Sequence, residues 1–178
     1  MRALYHPRLP PGGRLWGASR PGYPGTTATP QQIEATVREW AGAGVDAVVT
    51  LMEEAEIGRL CPGFLESLDR HGLESLHFPI PDFGAPAPAE ADAFYAFVDD
   101  SRRRLARGQA LLAHCNAGLG RTAVFLASLL AVSGFPGDAV DEIRRIYEPD
   151  AMRGAVQEAF VRELLFRGTG AGDREVTP

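Results

Sequence analysis

Nine consecutive residues hold most of the reactive chemistry in this chain: His114-Cys115-Asn116-Ala117-Gly118-Leu119-Gly120-Arg121-Thr122. They leave an apolar run, Gln109 to Cys115, and enter an apolar helical pattern. In open α/β sheets, ligands bind where a strand gives way to a helix. A short loop at that point turns successive backbone N–H groups inward, and the next helix adds the positive end of its dipole. The product is an anion cradle, formed by Asn116, Ala117, Gly118, Leu119, Gly120 and Arg121, with the Cys115 thiol at its centre. Such surroundings favour the thiolate, a nucleophile that needs no dedicated base. Arg121 can fork two N–H bonds to two oxygens of a tetrahedral phosphate. Gly118 and Gly120 let the backbone pass close to those oxygens. Thr122 is expected to donate its hydroxyl to the Cys115 sulfur, and His114 to orient the loop through backbone bonds rather than act as a base.

The segment resembles the HCxxGxxR[ST] signature of the cysteine-dependent protein tyrosine and dual-specificity phosphatases. "HFPIPDFGAPAP", "AHCNAGLGRTAVFLASLL" and "DAVDEIRRIYEPDA" extend the resemblance to small atypical dual-specificity phosphatases of the VHZ type, over about Val45 to Phe166. The resemblance implies a phosphocysteine intermediate and a general acid about thirty residues before the nucleophile. Asp82 lies 33 residues before Cys115, in the Pro-rich loop Ile80 to Gly84, and fits that part. Asp82 could instead serve only its turn, and Asp92, the nearest rival acid, falls on the next helix. The resemblance also implies a polar residue that positions the hydrolytic water. Gln157 stands near that place, with Arg153 and Glu158 as neighbours that could serve or interfere.

These residues point to hydrolysis of phosphate monoesters, phosphotyrosine first and phosphoserine or phosphothreonine in proteins beside it, because a short chain builds shallow cleft walls. The uncharged Asn116, Ala117 and Leu119 argue for a singly phosphorylated substrate. Cys115 lies too late for the low-molecular-weight phosphatases. Two alternatives stand: another Cys-loop enzyme such as a sulfurtransferase or arsenate reductase, and a pseudophosphatase that binds phosphoproteins without turnover. Sulfur transfer has no use for a positioned acid, and the intact Cys, Arg, Thr and Asp argue against a dead relative. No metal and no organic cofactor are expected.

The surrounding sequence must position this loop. The 178 residues carry 45% hydrophobic and 23% charged side chains, which suits one α/β domain with a core. Strands expected at Arg14 to Ala18, Val45 to Met52, Leu73 to Pro79 and Gln109 to Cys115 alternate with helices. This predicts a mostly parallel sheet of about four to five strands flanked by helices. Thr29-Pro30 starts the first helix as N-cap and N1. Glu53 to Cys61 reads as a loop; Phe64 to His71, Ala89 to Arg107, Arg121 to Ser133, Asp138 to Tyr147 and Ala155 to Phe166 read as helices. The domain division is a Pro/Gly-rich arm over 1–30 packed on a catalytic unit over 31–167, with a mobile tail over 168–178.

The formal net charge is −5, which gives no reason to expect nucleic acid or a membrane surface as partner. All 18 basic residues are Arg, so lysine-dependent chemistry is excluded. Cys61 and Cys115 read as reduced thiols of a cytoplasmic monomer, with a protective disulfide between them as the alternative. Arg102, Arg103, Arg104 and Arg107 read as dipole pairing at a helix end or a docking patch. Trp16 and Tyr23 are candidates for the cleft entrance or the core.

Overall fold

A computed structural model describes residues 1–169. The tail expected over 168–178 falls, past Thr169, outside the described residues. The first helix, α1 (Pro30–Gly42), begins with a full capping box. Thr29 Oγ1 accepts from the Gln32 amide at 3.2 Å, and Gln32 Oε1 accepts from the Thr29 amide at 2.8 Å. Its Ile33, Val37 and Trp40 are buried at helical spacing.

Five strands form one sheet: β1 (Arg2–Leu4), β2 (Arg14–Ser19), β3 (Ala47–Thr50), β4 (Glu74–His77) and β5 (Ala110–Cys115). Their order is β1-β2-β5-β3-β4. The strands from β2 to β4 are mutually parallel, and β1 joins the β2 edge antiparallel. The sheet is therefore mixed. The antiparallel β1 was not expected, because three residues beside proline and glycine carry no readable alternation. Every residue of β3 and β5 is buried, as befits inner strands covered on both faces. The register places Ser19 beside Cys115 and Thr50 beside His114, so the cysteine ends the central strand.

Helices flank the sheet: α2 (Glu54–Leu60), α3 (Phe64–Arg70), α4 (Ala91–Ala106), α5 (Arg121–Val132), α6 (Ala139–Ile146) and α7 (Ala155–Thr169). Ten of the twelve residues of α5 are buried, and α4, α6 and α7 pack around it. The segment 53–61, expected as a loop, is the helix α2. Its acidic first turn, Glu54 and Glu56, and its closing Arg59 complement the dipole, while Ile57 and Leu60 bury one stripe. A short 3₁₀ turn, Pro88–Glu90, precedes α4. Among the described residues no helix is long and apolar enough to cross a membrane.

Candidate functional site

The nine residues from His114 to Thr122 run from the end of β5 into α5, with 116–120 as the intervening loop. Cys115 is buried, and its Sγ accepts from the Gly118 N–H at 3.3 Å. Three carbonyls of the loop are pinned on its outer side. Asn116 O accepts from the Arg20 amide at 3.1 Å, and Leu119 O from the Met152 amide at 3.0 Å. Gly118 O accepts from the Tyr147 hydroxyl at 2.9 Å. In a planar trans peptide the C=O and the following N–H point oppositely. Each outward carbonyl thus turns the N–H of Ala117, Leu119 or Gly120 inward. Those three residues line the cavity above Cys115, whereas Gly118 is buried beneath it.

Arg20 fixes the start of the loop twice. Besides its amide bond, its Nε donates to Asn116 Oδ1 at 2.8 Å. The rest of this buried guanidinium ties down the carbonyls of Pro21, Gly25 and Thr26. Gly118 has φ +79°, and a Cβ there would stand 2.7 Å from Ala18 O, so only glycine fits this turn.

Arg121 begins α5 and is 1% exposed. Its Nη1 and Nη2 donate to the two carboxylate oxygens of Glu56 at 2.6 and 2.9 Å, and Nη1 also reaches Ile80 O at 3.1 Å. The fork is therefore held in place by protein groups alone. Burial pushes the Glu56 carboxyl up, but the Arg121 bonds and charge outweigh it and hold the carboxyl below its ordinary range. Nη2 also lies 2.9 Å from Asp82 Oδ1. Asp82 thus stands beside Arg121 and lines the same cavity as Cys115.

The same oxygen of Asp82 accepts from the Phe83 amide at 3.1 Å. Phe83 takes φ 57°, the left-handed region, and exposes its ring at the cavity mouth. Gln157, on α7, is buried rather than solvated. Its Nε2 donates to Gly84 O at 2.9 Å, and its amide would meet a Cβ on Gly120 at 2.9 Å. It therefore bridges the Asp82 loop and the cysteine loop. The half-open cavity measures about 270 Å³, with Cys115 and Arg121 among its walls. Arg153 and Asp150 stand at its rim, paired with one another. Glu158 is bound by Arg144 and Arg162 and does not line it, nor does Asp92.

Two expected contacts differ. The Thr122 hydroxyl is buried without a hydrogen-bond partner, so its bond to the Cys115 sulfur is not formed in this structure. His114 Nε2 shares a hydrogen bond with Thr50 Oγ1 on β3 at 2.9 Å, which ties the ring to the sheet. The ring is enclosed by Trp40 and Phe64, and burial lowers its pKa from 6.5 to about 4. The folded state therefore resists protonation that the unfolded chain accepts between pH 6.5 and 4. Stability is full above pH 6.5 and falls as the pH drops through that window. The expected loss at pH 5 is about 2 kcal/mol from this group. Urea denaturation of wild type and His114→Gln at pH 7 and pH 5 checks this. The variant should lose markedly less stability than wild type over the same interval, and equal losses would refute it.

The remaining candidates lie elsewhere. Both cysteines are free thiols, and the Cys61 Sγ lies 3.8 Å from Pro21 O. Arg102 and Arg103 pair with Asp99, and Arg104 with Asp100 and Glu74, so much of that cluster's charge is answered locally. Neither Trp16 nor Tyr23 lines the cavity. Among the described residues no group of three or more His, Cys, Asp or Glu could hold a metal ion. Sequence reasoning missed Glu56, Arg20, Tyr147 and Met152. An acidic residue inside an apolar stripe, Glu56 beside Ile57 and Leu60, was the one readable signal.

Comparison with known proteins bears on this arrangement. The family model described as "Polymorphic toxin system, DSP-PTPase phosphatase" matches residues 19–135. The rat (Rattus norvegicus) cyclin-dependent kinase inhibitor 3 is 25% identical over 138 residues, which are 75% of this chain and 64% of the relative. The chain thus spans about 64% of the length of the curated relatives it matches. Kinase associated phosphatase, solved with its catalytic-site cysteine replaced by serine, superposes with TM-score 0.73 at 19% identity, covering 88% and 87% of the two chains. Tk-PTP in its active form gives TM-score 0.65 at 27% identity, covering 87% of this chain and 92% of that one.

Proposed function

Since the chain belongs to the DSP-PTPase phosphatases of polymorphic toxin systems, we propose that it hydrolyses phosphate monoesters through a phosphocysteine intermediate at Cys115, with phosphotyrosine in proteins as first substrate and phosphoserine and phosphothreonine beside it. The observation that carries this reading is the meeting of Cys115, the bidentate-held Arg121 and Asp82 at one cavity lined by inward amides.

In the first step the Cys115 thiolate attacks phosphorus as the bond to the leaving oxygen breaks. Asp82, protonated, gives its proton to that oxygen. The phosphate oxygens lie on the Ala117, Leu119 and Gly120 amides and on Arg121, where charge spreads in the transition state. In the second step water attacks the phosphocysteine, the Asp82 carboxylate takes a water proton, and the thiolate leaves. On this proposal Gln157, whose amide bonds to Gly84 O two residues from Asp82, orients that water. Arg153 and Glu158 are already paired with other residues. The uncharged Asn116, Ala117 and Leu119 support a singly phosphorylated substrate. A reducing, cytoplasmic setting and a monomeric state belong to the same proposal.

The test is turnover of aryl phosphates in the presence of EDTA, comparing p-nitrophenyl with phenyl phosphate for wild type and Asp82→Asn. Wild type should release phosphate without metal. The variant should lose about 10²-fold with phenyl phosphate and much less with p-nitrophenyl phosphate, whose leaving group needs no proton. Phosphate binding without turnover of either substrate would instead favour the phosphoprotein-binding reading.

A further inference from the structure

We propose that Tyr147 is a positioning residue for the anion cradle. Its hydroxyl holds the Gly118–Leu119 peptide in the one orientation that presents an N–H, and not a carbonyl, to the substrate's phosphate. This rests on the phosphate-hydrolysing reading above.

The Gly118–Leu119 peptide is the weakest point of the loop. Flipping it turns ψ of Gly118 together with φ of Leu119, and on the Gly118 side, where φ is +79° and no Cβ is present, the conformational resistance is least. The neighbouring loop peptides are held from outside by backbone amides, those of Arg20 and Met152. The Gly118 carbonyl has instead a side chain, the Tyr147 hydroxyl at 2.9 Å. Without that bond the carbonyl is free to turn inward. An acceptor would then face the phosphate oxygens where a donor had been.

The surroundings are arranged to deliver this hydroxyl. Tyr147 follows the last turn of α6 and must cross β2 to reach the loop. It passes over Gly17, where a Cβ would overlap its ring and hydroxyl. The Arg2 guanidinium on β1 lies 5.6 Å from the ring centroid and also donates to the Tyr147 carbonyl. Burial pushes the phenol's pKa up, so the hydroxyl stays a donor across the working pH range. No part of the HCxxGxxR[ST] motif specifies this residue.

The experiment compares Tyr147→Phe, Gly17→Ala and Ser101→Ala with wild type. Ser101→Ala removes a buried hydroxyl bond to Phe97 O, at 2.9 Å, away from the cavity. Inorganic phosphate affinity by calorimetry and kcat/KM for p-nitrophenyl phosphate are read beside the melting temperature. Tyr147→Phe and Gly17→Ala should each weaken phosphate about tenfold and lower kcat/KM ten- to a hundredfold, part of the effect of losing an oxyanion donor. Ser101→Ala should match Tyr147→Phe in melting temperature yet keep both values within twofold. Phosphate affinity and kcat/KM within twofold of wild type in Tyr147→Phe overturn the proposal, as does an equal loss in Ser101→Ala. If wild type binds phosphate without turnover, the hydrolytic reading fails while the affinity comparison still decides the role of Tyr147. Wild type that neither binds nor turns over would remove both.

Discussion

Cys115→Ser should abolish phosphate release, lowering kcat by about 10⁴-fold or more, while inorganic phosphate still binds. A serine hydroxyl is not ionised near pH 7 and needs a base to act as nucleophile. The site offers none. The His114 ring points its Nε2 to Thr50, and burial keeps it uncharged. Asp82 is committed to the leaving group on the proposed pathway. The amides and Arg121 are untouched by the change, so the cradle and its affinity for phosphate persist. Stopped assays with malachite green measure the loss, and calorimetry with phosphate measures the retention. Residual turnover above about 1% would contradict nucleophilic attack by this sulfur.

Arg121→Lys should lower kcat by about 10³-fold, the scale on which a transition-state arginine acts in phosphoryl transfer. An ammonium presents a point charge and cannot form the planar fork that spans both Glu56 oxygens and faces the cavity. Arg121→Met tests the same pair through stability. Glu56 would remain buried without its cation, and breaking such a pair costs about 3–5 kcal/mol. The pH dependence changes sign between the two proteins. In wild type the Glu56 carboxyl sits below its ordinary pKa of 4.5, so its contribution is present above pH 4.5 and is lost as pH falls. In Arg121→Met burial becomes the largest influence, opposed only by the Glu53 backbone bond and the Arg59 charge, and it raises that pKa. The variant should therefore gain stability relative to wild type as the pH is lowered from 7 toward 5. Urea denaturation at several pH values reads both effects. A parallel shift of the two curves would mean that Glu56 and Arg121 are not energetically coupled.

The motif residues and Asp82 were legible because their chemistry is local: a strand, a turn that glycine permits, a helix start, and a Pro-rich loop. The alternating strands and helices likewise announced the parallel sheet, through runs such as Ala110 to Cys115 that are buried on both faces. What escaped was long-range. Glu56 finds Arg121 across 65 residues, and Tyr147 finds Gly118 across 29. The pattern of a single helix turn cannot say which distant group a side chain will meet. The helix α2 was hidden for a related reason. Its seven residues include Gly58, and its stability comes from burying Ile57 and Leu60 against the domain rather than from propensity. Gln157 was readable as a polar residue on α7, yet only packing shows that it is enclosed.

The pairing of β2 with β5 brings together stretches about 96 residues apart, the separation of Arg20 from Asn116. The other pins on the loop, Tyr147 and Met152, lie after the cysteine in the chain. During synthesis the strand that will hold one side of the loop is made early, with β1 already available on one edge, and its other edge waits for β5. Non-local contacts of this kind close late in folding. A nascent chain that has just passed Thr122 carries the whole signature, letter for letter, and still has no place for an anion. The cradle comes into being only when about thirty further residues have folded back onto it.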